Sequence, residues 1–239
     1  MRFFSLLLFF SLYALSGFAT TKGQVETRPS PASKRDGALK TDESVVSFLR
    51  NRCFVWNPKA CNSQTRAADQ KLILEVKAKG SLEAAADYAM AEGWMAFVQE
   101  KDLKTALFRF NQALILQENH ARSWLGAGAV YSELLMFDPG ERVNKRAIEL
   151  NSHEGSAYLN LGRLYAYARK DYKTAKELFL KAVEVQPDFY DSYVKLAYLS
   201  IASQDYSAAR QWLGKAKRAG VNIPPQIESA VMARIPASR

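Results

Sequence analysis

Two tracks of small residues run through the chain with one common period. Gly93, Gly128, Gly162 and Ala197 follow one another at intervals of 35, 34 and 35 residues, and Ala113, Ala147, Ala182 and Ala216 at 34, 35 and 34. Both tracks lie in stretches whose apolar residues recur at helical spacing. A small residue at a fixed place in every copy lets two helices approach closely, and larger apolar neighbours fill the space between pairs. A single pair cannot bury its apolar face, whereas three or more stacked copies can. The period therefore constrains the chain to an all-α array of helix pairs.

The residues around the two tracks fill in a motif. The clearest copy has Tyr158, Leu161, Gly162 and Tyr165 on a first helix, then Ala175, Phe179, Ala182 and Pro187 on a second, with one extra residue before Ala175. The copy before it has Trp124, Ala127, Gly128 and Tyr131, and the last has Tyr193, Leu196 and Ala197, then Ala209, Leu213 and Ala216. The first copy keeps Gly93, Ala106, Phe110 and Ala113 in register, but its aromatics Trp94 and Phe97 stand one position late. In this pattern the chain resembles the tetratricopeptide repeat family over about 140 of its 239 residues. The resemblance implies a right-handed α-solenoid of about four helix pairs over 81–223. In the second copy Pro139 and Gly140 replace the expected small and aromatic residues, so its second helix is expected to start late and be short.

Both flanks suit solenoid ends. Downstream, 224–239 carry Pro225 at a helix start, then Ile227, Val231, Met232 and Ile235, which reads as a capping helix and tail. Upstream, 44–80 read as two helices or turns, linked by Cys53 and Cys61 and covering the first repeat. These are the chain's two cysteines, and a disulfide is their expected pairing. A metal site competes with that pairing, but His120 and His153 lie far downstream, and neither cysteine has a base nearby for a nucleophilic role.

The first 19 residues read as a secretory leader: Arg2, an apolar run of about 13 residues, then small Gly17 and Ala19, with cleavage expected after Ala19. An uncleaved anchor is the competing reading, but the run is shorter than the roughly 18 residues a bilayer span wants. The expectation is export, to the periplasm in a bacterium and otherwise to the secretory pathway or outside the cell. Residues 20–43, rich in Ser, Thr, Pro, Gly and charge, read as a flexible basic linker. Between Thr20 and Gly80 there are 12 Lys or Arg against 6 Asp or Glu, whereas from Ser81 onward the counts are 20 and 18. That basic arm either is a solvated tether or lies against an anionic envelope polymer or lipid, with the repeats only structural. Nucleic acid is not expected, since aromatics are not interleaved with the basic residues.

No GxSxG, HExxH or phosphate-cradling glycine loop is present, so no catalytic residue, metal or cofactor is expected. The family resemblance implies a surface made by the first helix of each pair, on which a partner peptide or helix binds. Carried across the copies, that surface comprises Met90, Trp94, Arg122, Asn160, Arg163, Tyr167, Lys195 and Tyr198. For Trp94 core packing is the rival reading. The family's clamp for a chain terminus is not matched, because Leu125 and Ala129 stand where a Lys and Asn pair is wanted. The expected function is a protein-binding scaffold or assembly factor of the cell envelope.

Overall fold

Helix follows helix wherever the apolar period runs, and half of the described α-helices start on a capping side chain. The computed structural model of the chain describes Val46 and residues 52–235; the expected leader and basic linker lie outside the described residues. After a 3₁₀ turn at Pro58–Ala60 come α1 (Ser63–Lys79), α2 (Leu82–Met95), α3 (Leu103–Leu116), α4 (Ala121–Glu133) and α5 (Phe137–Leu150). They are followed by α6 (Gly155–Arg163), α7 (Tyr172–Val185), α8 (Asp191–Ala202), α9 (Tyr206–Arg218) and α10 (Pro225–Met232). Asp102, Asp171 and Asp205 accept backbone N–H groups at the starts of α3, α7 and α9, which satisfies donors that the first helical turn leaves open.

The helices pair in chain order: α2 with α3, α4 with α5, α6 with α7, and α8 with α9. The four pairs form the expected α-solenoid, with α10 against α9 at one end and α1 against α2 and α3 at the other. At each pair the small residue of the first helix faces a residue of the second. A Cβ added to Gly93 would lie 2.7 Å from the Phe110 ring, and one added to Gly162 would lie 2.5 Å from the Phe179 ring. The glycines are there because the aromatic ring of the second helix occupies that space. Ala106, Ala113, Ala175, Ala182, Ala209 and Ala216 are all fully buried at the same joints.

The uneven spacing of the repeats has a local cause. In the first and third copies 13 residues separate the glycine from the alanine that follows (Gly93 to Ala106, Gly162 to Ala175), against 12 in the second and fourth. The extra residue is absorbed at the end of the first helix, where α2 widens into a π turn at Ala96–Glu100 and α6 into one at Leu164–Arg169. Each π turn is closed by a lysine in the left-handed region, Lys101 and Lys170, both at φ 60°.

One expectation is corrected. The second helix of the second copy, α5, neither starts late nor is short, for it has 14 residues like α3 and α7. Pro139 is its third residue, in the turn whose N–H groups have no intrahelical acceptor, so the missing donor and fixed φ cost nothing there. Gly140 takes the place that Ala106 and Ala175 hold in neighbouring pairs, because a Cβ on it would come 2.7 Å from Leu164 and 3.1 Å from Tyr131.

Asn144 stands in α5 where Phe110 and Phe179 stand in their own helices, and it is fully buried. Its Nδ2 donates to the Gly140 carbonyl at 2.8 Å, with the Gly128 carbonyl and the Ser132 hydroxyl each at 3.4 Å. A polar joint thus replaces the aromatic one in the second pair. Asn144→Ala removes the donor that these buried acceptors share, and is expected to lower the unfolding free energy by about 1–3 kcal/mol, read from the urea midpoint.

Candidate functional site

The first helices α4, α6 and α8 bring one side chain each to a shared charged cluster. Arg163 of α6 donates from Nη2 to Glu133 Oε2 of α4 at 2.9 Å, and both side chains are mostly shielded, at 19% and 25% exposure. Lys195 of α8 lies within their field: burial pushes its ammonium below the ordinary value, the Arg163 charge pushes it further, and Asp191 and Glu133 pull the other way. Tyr167, from the π turn that ends α6, feels Arg163, Tyr198 and Tyr172, and burial raises its phenol. Tyr167 and Tyr198 still expose 38% and 41% of their surface. Tyr167 thus lies within the electrostatic reach of Arg163 and Tyr198, and Lys195 within that of Arg163, while the Glu133 carboxylate is already engaged by Arg163.

Desolvation disfavours the charged form of Lys195. Its folded value lies below 10.5, so the unfolded chain binds more protons between that folded value and 10.5, and stability rises with pH across the interval. Below the folded value the full cost of burying the charge is present. Lys195→Met is expected to leave stability at neutral pH unchanged or raised by about 1 kcal/mol, and to flatten the alkaline rise, as thermal unfolding at several pH values would show.

Of the eight residues expected on this surface, Arg163 acts electrostatically on Lys195 and Tyr167, and Tyr198 on Tyr167. Asn160 is buried, and its carbonyl accepts from the Ser132 hydroxyl at 3.0 Å. Met90 is buried in the core of the first pairs. Trp94 is half-buried and edge-on to Phe110 at 5.4 Å and to Phe97 at 5.8 Å, which makes it part of the packing of α2 against α3. Arg122 lies exposed in the first turn of α4.

Two groups of residues were missed at the sequence level. Glu133 stands one 34-residue step before Tyr167, so aligning the copies would have placed it on the same surface. Phe54 and Trp56, between the joined cysteines, are 1% and 6% exposed and belong to the core of the first two pairs. Only the apolar run Phe54, Val55 and Trp56 inside the cysteine bracket hinted at burial. Cys53 and Cys61 form the expected disulfide.

A contact that resembles a hydrolytic triad has a structural role. His120 Nε2 lies 3.1 Å from Asp87 Oδ1, and its Nδ1 lies 2.8 Å from the Ser123 hydroxyl. Ser123 is fully buried, so that hydroxyl cannot meet a substrate, and the three groups fasten the start of α4 to α2. Among the described residues no group of three or more His, Cys, Asp or Glu could hold a metal ion, and no helix is long and apolar enough to cross a membrane.

Comparison with known proteins agrees with this architecture. Residues 166–235, the end of the third pair through α10, match the tetratricopeptide repeat family. Among solved structures the chain is similar to pilF of Pseudomonas aeruginosa, at 17% identity and a TM-score of 0.56, covering 64% of this chain and 68% of that one. It is also similar to an O-GlcNAc transferase mutant of Thermobaculum terrenum, at 18% identity and 0.54, covering 58% of this chain but 27% of that one. A third similar structure is a thermophilic TPR protein of Thermus thermophilus, at 15% identity and 0.52, covering 63% of this chain and 81% of that one. At these identities the likeness is one of fold. No curated protein matches the sequence.

Proposed function

We propose that this stack of tetratricopeptide repeats is a scaffold or assembly factor of the cell envelope, which holds a segment of another protein against the first helices α4, α6 and α8. The Arg163–Glu133 ion pair at 2.9 Å, which joins α6 to α4, together with the exposed Tyr167 and Tyr198 and with Lys195 in the field of Arg163, supports this reading. A partly buried ammonium such as that of Lys195 gains when an anionic group arrives beside it. The half-exposed phenol rings of Tyr167 and Tyr198 offer apolar anchors with a polar edge, the composition that concentrates binding energy at protein interfaces. The partner segment that fits is a peptide or helix presenting a carboxylate beside an apolar side chain.

The envelope setting rests on the expectation of export: the first 19 residues have the order of a leader, and the Cys53–Cys61 disulfide suits an oxidising compartment. In a bacterium that compartment is the periplasm. The test is quantitative co-isolation of the chain with its native partner, comparing wild type with a variant carrying Arg163→Glu and Lys195→Glu. The variant should lose the partner while keeping its helical spectrum. Undiminished recovery of the same partner by the variant would remove this surface from the account.

A further inference from the structure

We propose that the Cys53–Cys61 loop is a redox-released plug covering an aromatic docking surface on the first two repeats. The loop lies outside the repeats, yet it carries two of the most deeply buried aromatic side chains in the chain, Phe54 and Trp56, at 1% and 6% exposure. It closes on itself through the Asn57 N–H, which donates to the Phe54 carbonyl at 2.7 Å, and it stacks the Phe54 and Trp56 rings 4.9 Å apart. The surface beneath it belongs to α3 and α4. The Val55 N–H donates to Asn111 Oδ1 at 2.8 Å, and Trp56 Nε1 donates to the Tyr131 hydroxyl at 2.9 Å. Trp56 meets the Trp124 and Tyr131 rings edge-on at 6.0 and 5.9 Å, and Phe54 meets the Phe108 ring at 5.7 Å. Beside the plug a cleft of about 620 Å³ remains, bordered by Trp56, Tyr131, Leu134, Met136 and Arg142.

Helices that pack in register need no such insert, and the other repeats have none among the described residues. The loop behaves as a bound ligand supplied by the chain itself: an aromatic turn held by two hydrogen bonds and ring contacts, and kept in that shape by a covalent link. Both cysteines are partly exposed, whereas the aromatic residues between them are shielded, so a thiolate can reach the sulfurs while the plug is seated. A dithiol reductant opens the loop by exchange. Its thiolate attacks one sulfur, the Cys53–Cys61 bond breaks as a mixed disulfide forms, and the reductant's second thiol then displaces the cysteine. The reductant ends as a disulfide, and Cys53 and Cys61 end as two thiols that have gained two electrons and two protons. On the chain-entropy account, opening so small a ring weakens the seated turn by roughly 50- to 100-fold. The uncovered surface of Phe108, Asn111, Trp124 and Tyr131 then fits a partner's aromatic turn of the same chemistry.

Hydrogen exchange on the full chain, oxidised and after treatment with dithiothreitol, tests this directly. Exchange at the Val55 amide and the Trp56 indole N–H should accelerate about 50-fold or more on reduction, while amides in α6 to α9 keep their protection. Once the two thiols of the reduced chain have been alkylated and the reductant removed, a disulfide-closed synthetic peptide spanning residues 52–62 should bind that opened chain, and also the oxidised Trp56→Ala chain, but not the oxidised wild type. Unchanged exchange at Val55 and Trp56 after reduction would overturn the proposal, because the turn would be held without the bond. Acceleration spread through α2 to α9 would overturn it too, since the disulfide would then staple the whole fold. Failure of the peptide to bind either open form would remove the docking surface.

Discussion

Phe110→Ala should lower the unfolding free energy by about 3–5 kcal/mol, the cost of emptying an aromatic site in a close-packed core. The ring is fully buried, and two glycines from different pairs face it. A Cβ on Gly93 would lie 2.7 Å from it and one on Gly126 only 2.3 Å, while Trp94 meets it edge-on. Neither glycine has a side chain that could move into the vacated space, so the cavity should persist and the loss should fall at the upper end for such truncations. Leu180→Ala on α7, where the side chain is 36% exposed, should cost about 1 kcal/mol or less. Urea unfolding followed by far-ultraviolet dichroism separates the two, and a shift at Phe110 no larger than at Leu180 would contradict the packing described above. In a stack whose pairs touch only neighbours, the loss should be concentrated in α2 to α4, and α8 and α9 should keep their protection against exchange.

The second large effect concerns binding. Reversing Arg163 and Lys195 together should weaken partner affinity at least 100-fold. Each change replaces attraction by repulsion at a shielded site, where losing one member of a close charge pair costs about 2–5 kcal/mol. The Arg163 reversal also sets two carboxylates face to face across the 2.9 Å contact with Glu133, which adds a contribution from the fold. The neutral pair Arg163→Gln and Lys195→Met avoids that repulsion. It leaves the shielded Glu133 carboxylate unpaired, so it should lower stability by about 1–3 kcal/mol while keeping the helical spectrum, and still reduce affinity about tenfold or more. Loss of binding by a chain that remains folded assigns the charges to recognition.

The helix pairs were legible because their cause is repetitive: small residues recur where helices touch, and in the first and third pairs the ring that fills the joint stands 17 residues after its glycine, as Phe110 follows Gly93 and Phe179 follows Gly162. The full length of α5 was hidden because proline reads as a stop signal, although in the first turn of a helix it is tolerated. Asn144 was not legible as a core residue, since what makes it buriable is a set of carbonyls and a hydroxyl that only the folded pair assembles. The seat of Trp56 was invisible for a related reason. It depends on Asn111, Trp124 and Tyr131, which lie 55 to 75 positions away and share no period with the loop. On the proposed binding surface the periodic register drew in Arg163, Tyr167, Lys195 and Tyr198, of which Tyr167 and Lys195 feel the charge of Arg163. It also drew in Trp94, whose late position in the first copy turns its ring toward the Phe110 joint.

Site-specific photo-crosslinking in cells reads the binding surface most directly, with a photoreactive residue placed at Tyr198 in one strain and at Leu180, on the second helix of the third pair, in another. The account predicts a discrete protein adduct from position 198 that vanishes when Arg163 and Lys195 are neutralised, and no such adduct from position 180. Equal adducts from both positions, or an adduct at 198 indifferent to the two charges, would contradict it.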